Sequence, residues 1–423
     1  MHACSFRCDF RTTWKKLKHD LRQLSLVTPN TSRPGVGMTT HVCFFQMSSP
    51  PSPLMAVDVG TLIPLPSLKT KCGSGMGMAV CPALGLLVTS NHDDNTLSVF
   101  TLPGTGAGAS ASAGTSAGMA LVCTLGGASS PAPMQFEFLD MNGSSGWMAF
   151  TGPTNFRLLL LTDAVHEAVH VINVEGRVHV GYVAEPGTIG RPRGVAARGS
   201  LVAISAWRKV DSGKHVVRLF EGSGARWSLL RVLAGGFRSP GSADGQLHTP
   251  MGLRFTGDGT GLAVADARND RVSLFRVEDG SFVRHVATGL SCPQDAEECE
   301  GGWLVACSGS QTIRFVGAVG DMDRGGRASS LGRWGGRDGE FTDPTALALV
   351  PGLGLVVRES GGYGRVQVFA TPAAIAMASM SPCRVAWMVA VFRGLLRRRS
   401  TVAASPLPSP AADRPKRRRT KAV

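Results

Sequence analysis

Six segments of the chain repeat one pattern of hydrophobic and polar positions. Each has an apolar run of four to six residues, a turn with Gly, Asn or Asp, and a stretch where apolar and polar residues alternate; the segments are residues 85–100, 150–172, 200–220, 255–275, 302–316 and 354–369. Alternation with a period of two, interrupted by turn residues, predicts antiparallel β-hairpins. The sequence therefore predicts six copies of one hairpin unit.

The spacing of the copies predicts how the hairpins assemble. The residues that open successive predicted inner strands, Arg193, Met251, Gln294 and Thr345, are 58, 43 and 51 residues apart. Four short strands fit into each interval, and repeats of this kind form the blades of β-propellers. The predicted fold is therefore all-β, a six-bladed β-propeller. Its tight turns also account for the 53 glycines among 423 residues.

Two connections between predicted blades carry a more specific motif. Residues 241–250 and 335–344 both match G-x-x-D-G-x-[FL]-x-x-P, and residues 266–272 then match D-x-x-N-x-R-V. On these motifs, residues 76–370 resemble the NHL-repeat family of six-bladed β-propellers. The resemblance implies a disc that binds protein or RNA on one face. Some related propellers are hydrolases or lyases, so it leaves enzymatic activity open.

The chain divides into a predicted propeller and its extensions. The propeller is assigned to residues 54–371, after a basic extension and linker at 1–53 and before a helical segment at 372–399 and a disordered basic tail at 400–423. The last repeat shows only three strands, so closure of the ring requires a strand from the other end of the domain. Residues 58–68 are the candidate, and their two prolines suit an edge strand.

Net charge is concentrated in the extensions. Of the total of +14, residues 1–34 contribute +5 and residues 393–423 contribute +9, which leaves the body neutral. Within that body, residues 191–238 carry +8. Such a basic sector can bind an acidic protein or RNA phosphates. The candidate contact residues are Arg191, Arg193, Arg198, Arg208, Lys209 and Arg218. The alternative is that these charges are dispersed around the rim of the disc and share no face.

One motif matches the zinc-protease pattern H-E-x-x-H. Residues 166–170 read His-Glu-Ala-Val-His, a spacing that brings two imidazoles to one metal when they lie a turn apart on a helix. The repeat pattern instead places His166 in a turn and His170 on a strand, where residues four apart are separated by about 13 Å. We therefore expect no protease site here, and we predict neither a metal nor another cofactor.

The related propeller hydrolases of the lactonase type hold a divalent cation in the central channel, between Glu, Asp and Asn side chains. A hard cation requires several such oxygens. Among the residues that open the inner strands here, only Asp295 is acidic, with Glu297 and Glu298 nearby. We expect these acids to face solvent or Arg193, and a metal-dependent hydrolase is the third of the candidate functions.

The ends of the chain bear on its location. The C-terminal tail carries a candidate localisation signal, formed by Lys416, Arg417, Arg418, Arg419 and Lys421, which suits an import receptor or nucleic-acid phosphates. The first 20 residues lack the apolar run of a secretory signal, and the apolar run at 385–392 is too short to span a bilayer. We therefore expect an intracellular protein, nuclear or cytoplasmic or both, without a transmembrane segment.

Together these patterns predict a non-enzymatic binding platform, a scaffold or adaptor that holds a protein partner on one propeller face. The alternative function is an RNA-binding propeller that uses the basic sector at residues 191–238.

Overall fold

Alternating apolar and polar residues form β-strands along most of the described chain. The computed structural model describes residues 54–65, 75–102, 119–136, 146–151, 158–207, 215–235, 240–317, 330–362, 364–372 and 374–375. Within these residues, 24 strands form six antiparallel sheets of four strands each. Each sheet contacts the next, and the last contacts the first. The predicted six-bladed β-propeller is therefore confirmed.

The blades follow one another in chain order, each running from an innermost to an outermost strand. A short strand, β1 (Ile63–Pro64), precedes them. Blade 1 contains β2 (Met78–Cys81), β3 (Leu86–Asn91), β4 (Thr96–Thr101) and β5 (Leu121–Gly126). Blade 2 contains β6 (Met148–Phe150), β7 (Leu158–Asp163), β8 (Ala168–Asn173) and β9 (Val178–Ala184). Blade 3 contains β10 (Arg191–Arg198), β11 (Leu201–Trp207), β12 (His215–Ser223) and β13 (Arg226–Gly235).

The second half of the ring repeats this arrangement. Blade 4 contains β14 (Pro250–Phe255), β15 (Gly261–Asp266), β16 (Arg271–Arg276) and β17 (Phe282–Ala287). Blade 5 contains β18 (Pro293–Cys299), β19 (Gly302–Cys307), β20 (Thr312–Gly317) and β21 (Ser330–Leu331). Blade 6 contains β22 (Pro344–Val350), β23 (Gly354–Glu359) and β24 (Arg365–Ala370). The six hairpins predicted from the repeats are the second and third strands of each blade.

The hydrophobic core lies between the blades, because the middle strands of a blade bury residues on both faces. All six residues of β15, β19, β23 and β24 are buried. Leu262 and Phe275 of blade 4, for example, pack in one cluster with Leu219 of blade 3. Burial of each such side chain contributes about 1.5–3 kcal/mol. Stability of the ring therefore depends on the contacts between neighbouring blades.

The innermost strands approach one another closely around the central channel, and glycine permits this approach. A Cβ atom on Gly194 of β10 would lie 2.1 Å from the backbone oxygen of Met251 in blade 4. The N–H of Gly194 donates to Ser205 Oγ, and that hydroxyl donates to the Met251 carbonyl, both at 2.8 Å. A side chain at position 194 would separate these two blades.

The ring is closed by a strand from the N-terminal side of the domain. Strand β1 pairs antiparallel with β24, with Pro64 opposite Phe369. The N–H of Leu65 donates to the Val368 carbonyl at 2.8 Å. Residues 58–68 therefore do contain the missing outer strand of blade 6. Only two residues form it, and Pro64, which has no N–H to donate, is tolerated because the strand lies at the sheet edge.

The residues before β1 anchor it. Val59 and Leu62 are buried in one cluster with Phe369. The Asp58 side chain caps the short 3-10 turn Val59–Thr61. These contacts add buried apolar area to a strand that contributes few hydrogen bonds of its own.

The other predicted segments lie largely outside the described residues. Residues 1–53 and 376–423 are outside them, so the N-terminal extension, most of the 372–399 segment and the 400–423 tail stay predictions. At the end of the described residues, Thr371 Oγ1 accepts from the Ala374 N–H at 3.2 Å, as an N-cap does. In the described part of the chain, no helix has the length and apolar character that crossing a membrane requires.

We predict that a chain beginning at residue 66 fails to form the closed ring, whereas a chain beginning at residue 54 forms it. Loss of β1 leaves the edge of β24 unpaired and removes the buried Val59 and Leu62. Thermal unfolding of the shorter chain should lose cooperativity or shift down by at least about 10 °C, and size-exclusion chromatography should show aggregation. A monomeric shorter chain with an unchanged melting curve would contradict the assigned closure.

Candidate functional site

The two faces of the disc carry different loops. Neighbouring strands run in opposite directions, so the loops before the innermost strands and the loops between second and third strands share one face, which we call the strand-start face. The opposite face is the strand-end face. The two connections that match G-x-x-D-G-x-[FL]-x-x-P, residues 241–250 and 335–344, both lie on the strand-start face.

Each of these connections is held by a buried arginine from the third strand of the following blade. Arg271 donates to the carbonyl oxygens of Ser242, Ala243 and Gln246 at 2.6, 3.2 and 2.9 Å. Arg365 donates to those of Gly336, Arg337 and Glu340 at 2.8, 3.2 and 2.5 Å. Asp266 and Glu359 accept from the two guanidiniums at 2.9 and 2.7 Å. Because charged hydrogen bonds are stronger than neutral ones, the connections are fixed to the blades.

A cluster of basic and aromatic side chains lies on the strand-start face of blade 3. The guanidinium carbons of Arg191 and Arg193 lie 6.0 and 5.5 Å from the centre of the Trp207 ring, within cation–π range. The ring of His215 lies 6.0 Å from that of Trp207 and 5.5 Å from that of His248. We call these five residues the Trp207 cluster. Strand register assembles it, since Trp207 pairs with Arg191 on one side and with His215 on the other.

His215 is a buried member of this cluster. Its Nδ1 accepts a hydrogen bond from the Thr249 N–H at 2.5 Å. Burial lowers the pKa of His215 from 6.5 to about 4, and electrostatic interactions with His248, Arg193 and Arg268 act in the same direction. At pH 7 the imidazole is therefore neutral and serves as an acceptor, while the arginines supply the positive charge of the cluster.

The structure does not bring the other predicted basic residues to this cluster. Arg191 and Arg193 lie at the start of β10, whereas Arg198 ends that strand and donates to two carbonyl oxygens of blade 4 at 3.2 and 2.8 Å. Arg218 lies in β12 and donates to the Ile189 carbonyl at 2.6 Å. The predicted residues outside the described part of the chain are Arg208, Lys209, Lys416, Arg417, Arg418, Arg419 and Lys421.

The central channel contains charged side chains whose partners differ from the prediction. Arg254 of β14 forms an ion pair with Glu297 of β18 and donates to the Leu347 carbonyl at 3.3 Å. Asp295 is buried and accepts from the Leu347 N–H at 3.0 Å. For Asp295 and Glu297, the expectation that they face solvent or Arg193 is therefore wrong. It failed because β14, which carries Arg254, is the inner strand next to β18, whereas Arg193 lies one blade further away in β10. The third acid, Glu298, is half-exposed and accepts from the Gly257 N–H.

These channel groups hold the inner strands together. Burial raises the pKa of Asp295 to about 6 and that of Glu297 to about 7, and Arg254 opposes both shifts. The channel encloses a cavity of about 320 Å³. Of the two carboxylates, Glu297 is paired with Arg254 and Asp295 accepts from the N–H groups of Leu347 and Ala296. Among the described residues, no group of three or more His, Cys, Asp or Glu side chains is arranged to hold a metal ion.

The H-E-x-x-H motif lies on a turn and a strand, as predicted: His166 precedes β8 and His170 lies within it. Both rings nevertheless contact one carboxylate, since Asp163 Oδ2 lies 2.8 Å from His166 Nδ1 and 3.4 Å from His170 Nε2. The two imidazole rings therefore lie much closer together than the distance of about 13 Å expected for residues four apart on an extended strand. They do so because the turn folds His166 back onto Asp163. His166 occupies the place of Asn269, which donates to Asp266 at 2.7 Å in blade 4. The motif is a variant of the blade turn.

Three residues that shape these sites were not among the predicted site residues, namely His215, His248 and Arg254. His248 had a detectable signal, because it lies within the first G-x-x-D-G-x-[FL]-x-x-P connection. The positions of His215 and Arg254 depend on packing between strands and blades, which no local pattern reports.

Comparison with protein-family models and with curated proteins finds no match for the chain. Among solved structures, the chain is similar to one described as the crystal structure of a nidogen/laminin complex, with a TM-score of 0.40 and 13% sequence identity. The likeness covers 58% of this chain and 77% of that chain. The fold assignment rests on the strand pairing described above.

We predict that His215 makes the domain less stable in acid. Because the histidine titrates near 6.5 when unfolded and near 4 when folded, the unfolded chain binds more protons between these pH values, and stability falls as pH falls through this window. Relative to His215→Asn, which keeps an acceptor but cannot be protonated, the wild-type chain should lose about 2 kcal/mol between pH 7 and pH 5. Urea unfolding at both pH values measures this difference, and equal losses in the two proteins would contradict the assignment.

Proposed function

We propose that the chain is a non-enzymatic platform that binds a protein partner on its strand-start face, with the Trp207 cluster as part of the contact surface. The observation that carries this proposal is the position of Arg191, a half-buried residue whose guanidinium carbon lies 6.0 Å from the centre of the half-buried Trp207 ring on that face. Arg and Trp are enriched among the residues that contribute most to protein interfaces. A guanidinium oriented by a ring also loses less freedom when it binds a carboxylate. The expected partner therefore presents an acidic surface.

RNA is the alternative partner, because arginines beside an aromatic ring also suit phosphates and stacked bases. RNA affinity depends on several accessible cations that track the backbone. Here Arg198 and Arg218 donate to carbonyl oxygens of the propeller itself, and Arg193 is only 3% exposed. These engagements reduce the number of cations available for phosphates and support a protein partner instead.

The NHL-like identity of the repeats, the intracellular location and the localisation signal at residues 416–421 belong to the same proposal. The NHL-like identity is supported by the two connections that buried arginines hold in the same way. The intracellular location and the localisation signal are supported by the sequence features from which they were predicted.

We predict that Arg191→Glu weakens capture of partner proteins by the full-length chain at least tenfold, since loss of a central interface arginine costs about 2 kcal/mol or more. The measurement is a crosslinking pull-down from cells, with and without RNase, quantified by mass spectrometry. The matched control is Arg276→Glu, the same charge change at an exposed position on the strand-end face.

Capture should survive RNase and fall only in the Arg191 variant. Capture lost on RNase treatment, or reduced equally by both substitutions, would reject a protein partner on the strand-start face.

A further inference from the structure

Trp334 is the most exposed of the large hydrophobic side chains in the described part of the chain. It is 77% exposed, and the next, Leu229, is 54% exposed. It lies in the connection before β22 and therefore on the strand-start face. Exposed single apolar residues are common, but tryptophan has the largest apolar side chain and contributes strongly when an interface buries it.

The backbone that carries Trp334 is held in place. Trp334 forms a parallel bridge with Phe341, which is fully buried. The neighbouring Arg333 pairs with Glu340 at 2.9 Å, and the Arg337 N–H donates to the same carboxylate at 3.1 Å. Together with the bonds from the buried arginine of β24, these contacts fix the loop in one conformation. An exposed side chain on a fixed loop loses less freedom on binding than one on a mobile loop.

The chain contains an internal control for this loop, because the connection before β14 has the same construction 94 residues earlier. The Gly335 N–H donates to the Phe341 carbonyl at 3.0 Å, and the Gly241 N–H donates to the Leu247 carbonyl at 3.4 Å. The residue five positions after each of these glycines also makes the same contact. Glu340 accepts from the Arg337 N–H and Gln246 accepts from the Ala243 N–H, both at 3.1 Å.

At the position equivalent to Trp334, the earlier loop has an exposed Pro240. The loop therefore forms without tryptophan. The exposed indole serves neither the turn nor the core, which points to a role outside the domain.

The charge around Trp334 indicates the chemistry of the partner. Residues 332–343 contain three acids and two arginines, and one of the arginines is paired with Glu340. The loop is thus slightly acidic, which disfavours the phosphates of RNA. It suits a protein surface in which an apolar pocket is bordered by Lys or Arg.

We propose that Trp334 is an anchor of the strand-start face and inserts into an apolar pocket, bordered by basic residues, on a protein partner. This inference rests on the proposed function and adds to it a specific residue, on the side of the ring opposite the Trp207 cluster, and a specific pocket chemistry.

The test begins with a photo-crosslinking amino acid, benzoylphenylalanine, placed at position 334 or at the equivalent position 240 of the full-length chain in cells. Mass spectrometry of the adducts identifies the crosslinked protein and the peptide attached to each position. That protein is then purified and titrated with wild-type chain, Trp334→Ala and Pro240→Ala. Melting curves of the two variants should match that of the wild type, because neither side chain is buried.

Position 334 should yield an adduct with a peptide next to Lys or Arg, and position 240, which lies beside His248, should crosslink to a different peptide or to none. Trp334→Ala should raise the Kd at least tenfold, and Pro240→Ala should change it much less. The same crosslinked peptide at both positions, an unchanged Kd for Trp334→Ala, or an adduct with RNA or a second copy of the chain would overturn the inference. If the Trp334→Ala Kd is unchanged while Arg191→Glu still weakens capture at least tenfold, the proposed function stands and the anchor fails. If neither Trp334→Ala changes the Kd nor Arg191→Glu changes capture, the proposed function itself is rejected.

Discussion

The structure depends on one pairing, that of β1 with β24. A propeller blade buries its middle strands only against two neighbours, so an open ring would leave a hydrophobic face and a sheet edge in water. Two residues, Ile63 and Pro64, form the closing strand, and the buried Val59 and Leu62 hold them in position. Because the closing strand comes from the opposite end of the domain, the stability of every blade depends on the completion of blade 6.

Closure in turn fixes the geometry of the strand-start face. The innermost strands approach one another at glycines such as Gly194, and the hydroxyl of Ser205 bridges two blades near the channel. Buried arginines then tie the two long connections to the same framework. The loops on this face are therefore extensions of a rigid ring. A rigid face loses little entropy on association, which favours the proposed binding role.

Much of the fold could be predicted from the sequence, because its determinants are local. Alternation within segments of 15 to 23 residues located all six hairpins, and the proline-containing segment at 58–68 contains the closing strand. The candidate sites were less predictable because they depend on which side chains meet across blades. Arg191 and Arg193 do lie on one ring, that of Trp207, but Arg198 lies at the other end of the same strand.

The channel and the histidine motif show the same limit. The partner of Glu297 is Arg254, 43 residues earlier in the chain, and nothing in the local pattern indicates that contact. The two histidines of H-E-x-x-H both contact Asp163 because the chain reverses in the turn between β7 and β8. The expected distance between them applied to an extended strand. In both places the repeat pattern gave the correct strand and the wrong side-chain environment.

The most direct test of a strand-start binding face is hydroxyl-radical footprinting of the full-length chain, compared between the purified protein and its assembly isolated from cells. The informative residues are His248 and Trp334 on the strand-start face and Trp227, which lies at the start of β13 on the strand-end face. We predict that oxidation of His248 and Trp334 falls in the assembly while that of Trp227 is unchanged. Protection confined to Trp227, or equal oxidation at all three residues in both samples, would contradict a partner-binding strand-start face.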